Sequence, residues 1–425
     1  MASQLVNFPP GALHGSVAVP GDKSISHRAL IAGAAAATPL RIANLNPGSD
    51  VRATREALIA LGVHVRNDGD DTEIGVGRLL SPATMLDCMN SGSTARMLLG
   101  ACAGANTAAR FDGDSSLRRR PMEPVAAQLR AFGAKIETTD GRLPLRLLGT
   151  PEIQTRHFIL LTPSAQVKSA LLFAGLFAGV SVTVDGDRSS RDHTERLLAY
   201  LGAQIEWDGR SVRLGPSRLR GGSIGVAGDI SAAAFFVTAA AITPGSSIRI
   251  PRVGVNPTRT GLLDVLRAMG AAIALENERT VCGEPLADLA VEHRPLVSAT
   301  IDAGTALRAI DEIPLIAIAA AFARGTTTIS GIGELRSKES DRIDAIERLL
   351  GAVGIESSYD RGVLRVIGGE PLRREAAVRT EDDHRIAMAA AVLACAAGPL
   401  SVYGSDSVDV SFPGFRRALA GLQNG

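Results

Sequence analysis

A chain of 425 residues with 45 basic and 44 acidic side chains carries no overall field that would draw nucleic acid or a membrane surface, so any anion it binds must be taken by local clusters. A hydrophobic content of 45% supports two or three domains with real cores, and 4% aromatic residues weakens any base-stacking role. The four cysteines lack Cys-x-x-Cys spacing, no signal-type apolar core follows the N-terminus, and the longest uncharged apolar run, residues 313–323, is too short to span a bilayer; free buried thiols in a soluble, cytoplasmic protein are expected.

Residues 5–19 alternate weakly up to Pro20-Gly21 and read as a strand. Gly21-Asp-Lys-Ser-Ile-Ser-His-Arg28 then forms a polar turn that opens into the small, almost wholly apolar helix of residues 29–37. A helix that is apolar all round must be buried. Its N-terminus still presents unpaired N–H groups and about half a positive charge, which favours an anion there. Lys23 and Arg28 sit at that end. A strand at 40–43 follows, then an amphipathic helix at 50–62 with Asp50 as N-cap and Gly62 at C′, then strands at 63–66 and 73–76 joined by the turn Asn67-Asp-Gly-Asp-Asp.

The design recurs. Polar mouths at Asn90-Ser-Gly-Ser-Thr-Ala-Arg96, Ser164-Ala-Gln-Val-Lys-Ser169, Gly228-Asp-Ile-Ser231, Asp311-Glu312 and Glu381-Asp-Asp-His-Arg385 each run into an apolar helix, at spacings of about 64 to 83 residues. A second helix motif recurs between them, as Leu58-Ile-Ala-Leu-Gly-Val63, Leu129-Arg-Ala-Phe-Gly-Ala134, Leu198-Ala-Tyr-Leu-Gly-Ala203 and Leu266-Arg-Ala-Met-Gly-Ala271, with a looser copy at 350–355. In the third copy a strand is expected at 180–184, a helix at 191–201 and a hairpin at 204–214. The chain therefore reads as six βαβαββ units of mixed α/β class. Three complete units end near Gly221-Gly222, and the first strand precedes the first unit, so it can complete the other half's set. The expected domains are 20–227 and 1–19 plus 228–425, with hinge crossovers near Gly21 and Gly228.

The mouths of the first half and their neighbours offer Lys23, Ser24, Arg28, Asn90, Arg96, the run Arg118-Arg119-Arg120, Ser164, Gln166, Lys168 and Arg191; those of the second half offer Asp311, Glu312, Arg336, Lys338, Glu339, Arg342, His384 and Arg385. Arginine suits bidentate contacts to carboxylate and phosphate, while lysine is a compact charge that can also move a proton. Carboxylates among the cations point to proton transfer, since a pure anion binder does not want them. Taken singly, each group has a plainer reading. Lys23 and Arg28 fit a solvated turn, the arginine run a solvated face, Asp311 an N-cap before Pro314, and Lys338 to Arg342 an ion-pair ladder on an exposed helix.

Gly21-Asp-Lys-Ser-Ile-Ser-His-Arg28, Asn90-Ser-Gly92, Arg120-Pro121, Ser164-Ala-Gln166, Lys338-Glu-Ser-Asp-Arg342, Asp383-His-Arg385 and Phe412-Pro413 closely resemble, in order and over essentially the whole chain, the 5-enolpyruvylshikimate-3-phosphate synthase family. The resemblance implies a two-domain inverse α/β barrel of six repeats and the transfer of an enolpyruvyl group from phosphoenolpyruvate to shikimate 3-phosphate, without metal or organic cofactor; a monomer is expected because the repeats bury their helices within one chain. It assigns shikimate 3-phosphate to Lys23, Ser24, Arg28, Ser164, Gln166, Arg191, Asp311 and Lys338. It assigns phosphoenolpyruvate to Lys23, Asn90, Gly92, Arg120, Gln166, Arg342 and Arg385. Asp311 resembles the acceptor of the 5-hydroxyl proton, and Glu339 and Lys23 the groups that exchange a proton with the enolpyruvyl methylene.

Two details depart from the commonest pattern. Val410 stands where many relatives carry a lysine two residues before Phe-Pro. The motifs at Gly21, Ser164-Ala-Gln-Val-Lys168, Arg191-Asp-His-Thr-Glu195 and Asn256-Pro-Thr-Arg259 resemble a glyphosate-tolerant subgroup, while Gly92 is the small residue associated with sensitivity. Intermediate or tolerant behaviour toward glyphosate is expected. The competing readings are a UDP-N-acetylglucosamine enolpyruvyl transferase, which usually needs a loop cysteine, an RNA-end-processing cyclase, which the balanced charge and missing nucleotide motif disfavour, and a non-catalytic anion binder, which has no use for Asp311 and Glu339.

Overall fold

Six short helices, Lys23–Ala34, Gly92–Gly104, Ala165–Ala178, Ile230–Ile242, Ile313–Ala321 and His384–Ala397, form the interior of a computed structural model that describes residues 5–151, 153–186, 190–369 and 376–424. Helices of 9 to 14 residues are marginal in water, so packing on every face sustains them. All thirteen residues of Ile230–Ile242 are buried.

The side chains of Asp22, Ser91, Ser164, Asp229 and Asp383 cap five of these helices by accepting backbone N–H groups in the first turn. The helix Ile313–Ala321 differs from expectation. Its N-cap is Glu312, without a side-chain cap bond, and Asp311 lies one residue outside, with its carboxylate turned to two arginines instead.

Four of the interior helices, Gly92–Gly104, Ala165–Ala178, Ile313–Ala321 and His384–Ala397, are the crossovers that their parallel strand pairs require. In the second repeat Leu86–Asp87 runs parallel to Ala109–Asp112, which is antiparallel to Arg142–Gly149, with Lys135–Thr139 at the edge. The third repeat follows the same path through Arg156–Ile159, Val182–Asp185, Ser211–Leu214 and Ile205–Trp207. Two repeats exchange their leading strands. Gly222–Gly225 pairs in parallel with Leu40–Ala43 of the first repeat, and His14–Ser16 pairs in parallel with Ser247–Gly254 of the fourth.

The N-terminal stretch expected as one strand is two. Leu5–Phe8 lies antiparallel to Leu400–Tyr403 of the sixth repeat, and His14–Ser16 joins the fourth. Pro9-Pro10 has no N–H to donate, so a ladder cannot run through it. The first interior helix is Lys23–Ala34 in place of the expected 29–37, so most of the residues read as a polar turn are its first turns, capped by Asp22. Elsewhere the differences are at element ends, with a helix at Ser49–Ala60 and a hairpin of Val65–Asp68 and Asp71–Ile74 in the first repeat.

The described residues fall into two compact units. One takes in those within Gly21–Ala227 and Thr280–Glu284; the other, those within Met1–Pro20, Gly228–Arg279 and Pro285–Gly425. Thr280–Glu284 groups with the former because Glu284 and His193 form a buried pair at 2.7 Å and the Gly283 carbonyl accepts from Arg196.

Candidate active site

In the unit containing Gly21–Ala227, Lys23 opens the first interior helix and its Nζ lies 2.9 Å from Asp50 Oδ2. Asp50 therefore does not cap its own helix, whose N-cap is Gly48 with no side-chain bond; the ion pair has claimed the carboxylate. Arg28 is buried. It donates from Nε to Thr194 Oγ1 at 2.7 Å, from Nη2 to Ser169 Oγ at 2.9 Å and from Nη1 to the Ser24 carbonyl at 2.8 Å, so it braces the mouth instead of solvating a turn. Burial lowers its pKa to about 10 against the opposing pull of Glu195, which leaves it cationic at neutral pH. Arg191 Nη1 reaches Ser24 Oγ at 3.3 Å.

The second and third interior helices lie close because Gly100 and Gly104, one turn apart, have no side chain. A Cβ on either would come within 2.1 or 2.2 Å of the backbone of Ala170 or Ala174. Their N-termini are thereby neighbours. Arg96 Nη1 donates to Gln166 Oε1 at 2.8 Å, its Nη2 to the Pro121 carbonyl at 2.9 Å, and Gln166 Nε2 to Ser93 Oγ at 3.0 Å. Gly92 is the first residue of its helix, and a Cβ there would stand 2.4 Å from Arg96 Nη1.

The arginine run splits by role. Arg118 turns to Asp112, Arg119 is exposed, and Arg120 donates to the Asn90 side-chain oxygen and, at 3.3 Å, to the Asn90 carbonyl. Ser164 caps the third helix, and Lys168 forms a buried pair with Glu195 at 2.7 Å. Burial pushes the Glu195 carboxyl up, and the Lys168 charge opposes it.

In the other unit the exposed-ladder reading fits Lys338 and Asp341, which pair with Glu334 and Arg336, and fails at Arg342, which belongs to a buried cluster. Lys338 follows a short 3-10 turn and pairs with Glu334; Arg342 begins the helix Arg342–Ala352 and points inward, with its side chain 1% exposed. Its Nε meets Asp383 Oδ2 at 2.8 Å, its Nη2 meets Glu339 Oε2 at 2.6 Å, and its Nη1 lies 3.8 Å from Asp311 Oδ1. Burial disfavours the Arg342 cation, yet Asp383 and Glu339 hold its pKa above the ordinary arginine value. Burial alone would raise Asp383; the Arg342 charge overrides it and keeps the carboxyl below its usual range. Arg385 Nη2 stands 3.6 Å from Asp311 Oδ2, and its Nη1 donates to the Asp311 carbonyl at 3.1 Å. Asp311, Glu339, Arg342 and Arg385 are thus one contiguous group.

Sequence reasoning read Asp50 only as a helix cap and gave no site role to Thr194 or Asp383; the three orient Lys23, Arg28 and Arg342. The signal for Asp383 was its place beside His384-Arg385 at a helix mouth. Val410 ends the 3-10 turn Ser405–Val410, directly before Phe412 and Phe415, which pack on Phe236. Cys88, Cys102 and Cys395 are buried, and burial pushes the last two thiols up to about 12, which removes them as loop nucleophiles. Cys282, half-buried, sits in a hairpin turn where its Sγ accepts from the Gly225 N–H at 3.4 Å.

The sequence pattern of one family, described as EPSP synthase (3-phosphoshikimate 1-carboxyvinyltransferase), matches residues 8–419. Among curated relatives, a 3-phosphoshikimate 1-carboxyvinyltransferase of Anaeromyxobacter sp. (strain Fw109-5) is 46% identical over 430 residues, covering 100% of both chains. One from Gloeobacter violaceus (strain ATCC 29082 / PCC 7421) is 45% identical with 97% of each chain covered. Among solved structures, EPSP synthase from Acinetobacter baumannii superposes with a TM-score of 0.88 at 36% identity, over 99% of this chain and 98% of that one. The enolpyruvyl transferase NikO from Streptomyces tendae, with a TM-score of 0.76 at 21% identity and the same coverage, shares the fold.

Proposed function

The chain belongs to the EPSP synthase (3-phosphoshikimate 1-carboxyvinyltransferase) family, and on that premise we propose which of its side chains carry the reaction. The protein is a transferase of the shikimate pathway to aromatic amino acids. It moves the enolpyruvyl group of phosphoenolpyruvate to the 5-hydroxyl of shikimate 3-phosphate and releases phosphate.

Asp311 accepts the 5-hydroxyl proton as that oxygen adds to C2 of phosphoenolpyruvate. Lys23 and Glu339 are the groups that give a proton to the methylene carbon and take one back. The tetrahedral adduct then expels phosphate and the enol double bond returns. Lys23, Ser24, Arg28, Ser164, Gln166, Arg191, Asp311 and Lys338 hold shikimate 3-phosphate; Lys23, Asn90, Gly92, Arg120, Gln166, Arg342 and Arg385 hold phosphoenolpyruvate. Fixed guanidinium groups stabilise the charge that accumulates on phosphate and carboxylate in the adduct.

The observation that carries this reading is the Asp311 carboxylate, 3.8 and 3.6 Å from the Arg342 and Arg385 guanidiniums. A proton acceptor among anion-binding cations fits an addition across a doubly anionic enol, and a simple binder has no need of it. The reading includes a monomer acting in the cytoplasm, hinge crossovers at Gly21 and Gly228, and tolerant or intermediate behaviour toward glyphosate. Among the described residues no helix is long and apolar enough to cross a membrane. The test is phosphate release from phosphoenolpyruvate with and without shikimate 3-phosphate. Release that depends on both is expected; release with UDP-N-acetylglucosamine in place of shikimate 3-phosphate would overturn the acceptor assignment.

A further inference from the structure

The fourth helix mouth, Gly228-Asp-Ile-Ser231, and the Asn256-Pro-Thr-Arg259 motif have no part in the roles above, yet they meet at one buried point. Arg385 Nη2 donates to Ser231 Oγ at 3.4 Å, and its Nη1 to Glu312 Oε1 at 3.4 Å. Arg259 Nη2 donates to the same Ser231 oxygen at 2.6 Å and lies 3.6 Å from Glu312 Oε1. Ser231 Oγ in turn bonds Glu312 Oε1. Ser231, Arg259 and Glu312 are 6%, 3% and 2% exposed.

Donor and acceptor chemistry fixes every role in this group. Guanidinium can only donate and an ionised carboxylate can only accept, so the one Ser231 hydroxyl proton must point to Glu312, and both its lone pairs receive arginine N–H groups. The local backbone sets the geometry. Asp229 Oδ1 accepts from the Ser231 N–H at 2.8 Å, and Asn256 Oδ1 accepts from the Thr258 N–H at 2.9 Å and from Thr258 Oγ1 at 2.7 Å, which closes the turn that delivers Arg259. Glu312 serves both guanidiniums, and Arg385 is held by Ser231 and Glu312 on one side and Asp311 on the other.

We propose that Ser231, Arg259 and Glu312 are positioning residues that fix the Arg385 guanidinium for the enolpyruvyl donor. This rests on the assignment of Arg385 to phosphoenolpyruvate. Ser231 and Glu312 contact Arg385 directly and Arg259 acts through them, so their loss acts on donor binding and leaves the acceptor alone.

The test uses the full-length protein and steady-state kinetics with each substrate varied in turn. Ser231→Ala raises KM for phosphoenolpyruvate about fivefold to tenfold, the effect of one misplaced hydrogen bond, and keeps kcat and KM for shikimate 3-phosphate within about twofold. Glu312→Gln has a larger effect of the same kind, and Arg259→Lys, which keeps the charge, a smaller one. In a double-mutant cycle Ser231→Ala adds little to Arg385→Lys, because both act through one group. An unchanged KM for phosphoenolpyruvate in Ser231→Ala, or equal rises in both KM values together with a lowered Tm, overturns the proposal. If Arg385→Lys itself leaves the donor KM unchanged, the assignment of Arg385 fails first.

Discussion

The two units hold their cations in different ways. In the unit of Gly21–Ala227 three arginines of the candidate site lean on neutral oxygens: Arg28 on Thr194, Ser169 and the Ser24 carbonyl, Arg96 on Gln166 and the Pro121 carbonyl, Arg120 on Asn90. Two buried or half-buried carboxylates beside these mouths pair with lysines, Asp50 with Lys23 and Glu195 with Lys168. In the other unit the arginines lean on carboxylates, Arg342 on Asp383, Glu339 and Asp311, and Arg385 on Asp311 and Glu312. A neutral partner orients a guanidinium without cancelling its charge, which suits capture of an anion. A carboxylate partner lowers the cost of burying the arginine and supplies a place for a proton. Anion capture and proton transfer are thus built by different partner chemistry on the same repeat.

The largest effect should come from breaking a charge-paired arginine. Arg342→Met leaves the fully buried Asp383 carboxylate without its cation and should destabilise the protein by about 3–5 kcal/mol, as read by denaturant unfolding. Arg96→Met, which strands the neutral Gln166 side chain and Pro121 carbonyl, should cost about 1–3 kcal/mol. Equal losses would erase the contrast.

Gly92→Ala sharpens the contrast from the other side. Its Cβ would stand 2.4 Å from Arg96 Nη1, so Arg96 must give up its bond to Gln166. We expect weaker glyphosate inhibition by about tenfold or more and a smaller rise in KM for phosphoenolpyruvate, because about 1.4 kcal/mol is tenfold. Unchanged inhibition would refute the role given to Gly92.

The smallest effect concerns His27, between the cations of the first mouth. Its Nδ1 meets Thr54 Oγ1 at 2.7 Å, and burial lowers its pKa to about 3, so the folded state holds it neutral. A base whose folded pKa is depressed stabilises fully above its unfolded value of 6.5, and that stability is lost as pH falls from 6.5 toward 3. The loss is roughly 0.8 kcal/mol at pH 6. His27→Asn should flatten the pH slope of unfolding free energy between pH 7 and pH 5; an unchanged slope would place the titration elsewhere.

What the sequence revealed follows from the range of the forces involved. Buried helices with capped polar mouths are local patterns, so the six repeats and their order were readable. Partner choice is not local. Asp50 reads as a cap until Lys23 stands 2.9 Å away, and Asp311 reads as a cap until Arg342 and Arg385 flank it. Ser231, Arg259, Glu312 and Arg385 come from four separate stretches of chain, and only the packing of three interior helices brings them together. The break at Pro9-Pro10 was visible in the residue types and was passed over because the weak alternation ran across it.

The most direct test of the central claim is turnover by Asp311→Ala with both substrates present. The account predicts that kcat falls by about a hundredfold to ten-thousandfold while both ligands are retained, as expected for loss of a general base. Turnover that survives while binding collapses would contradict it and make Asp311 a binding residue alone.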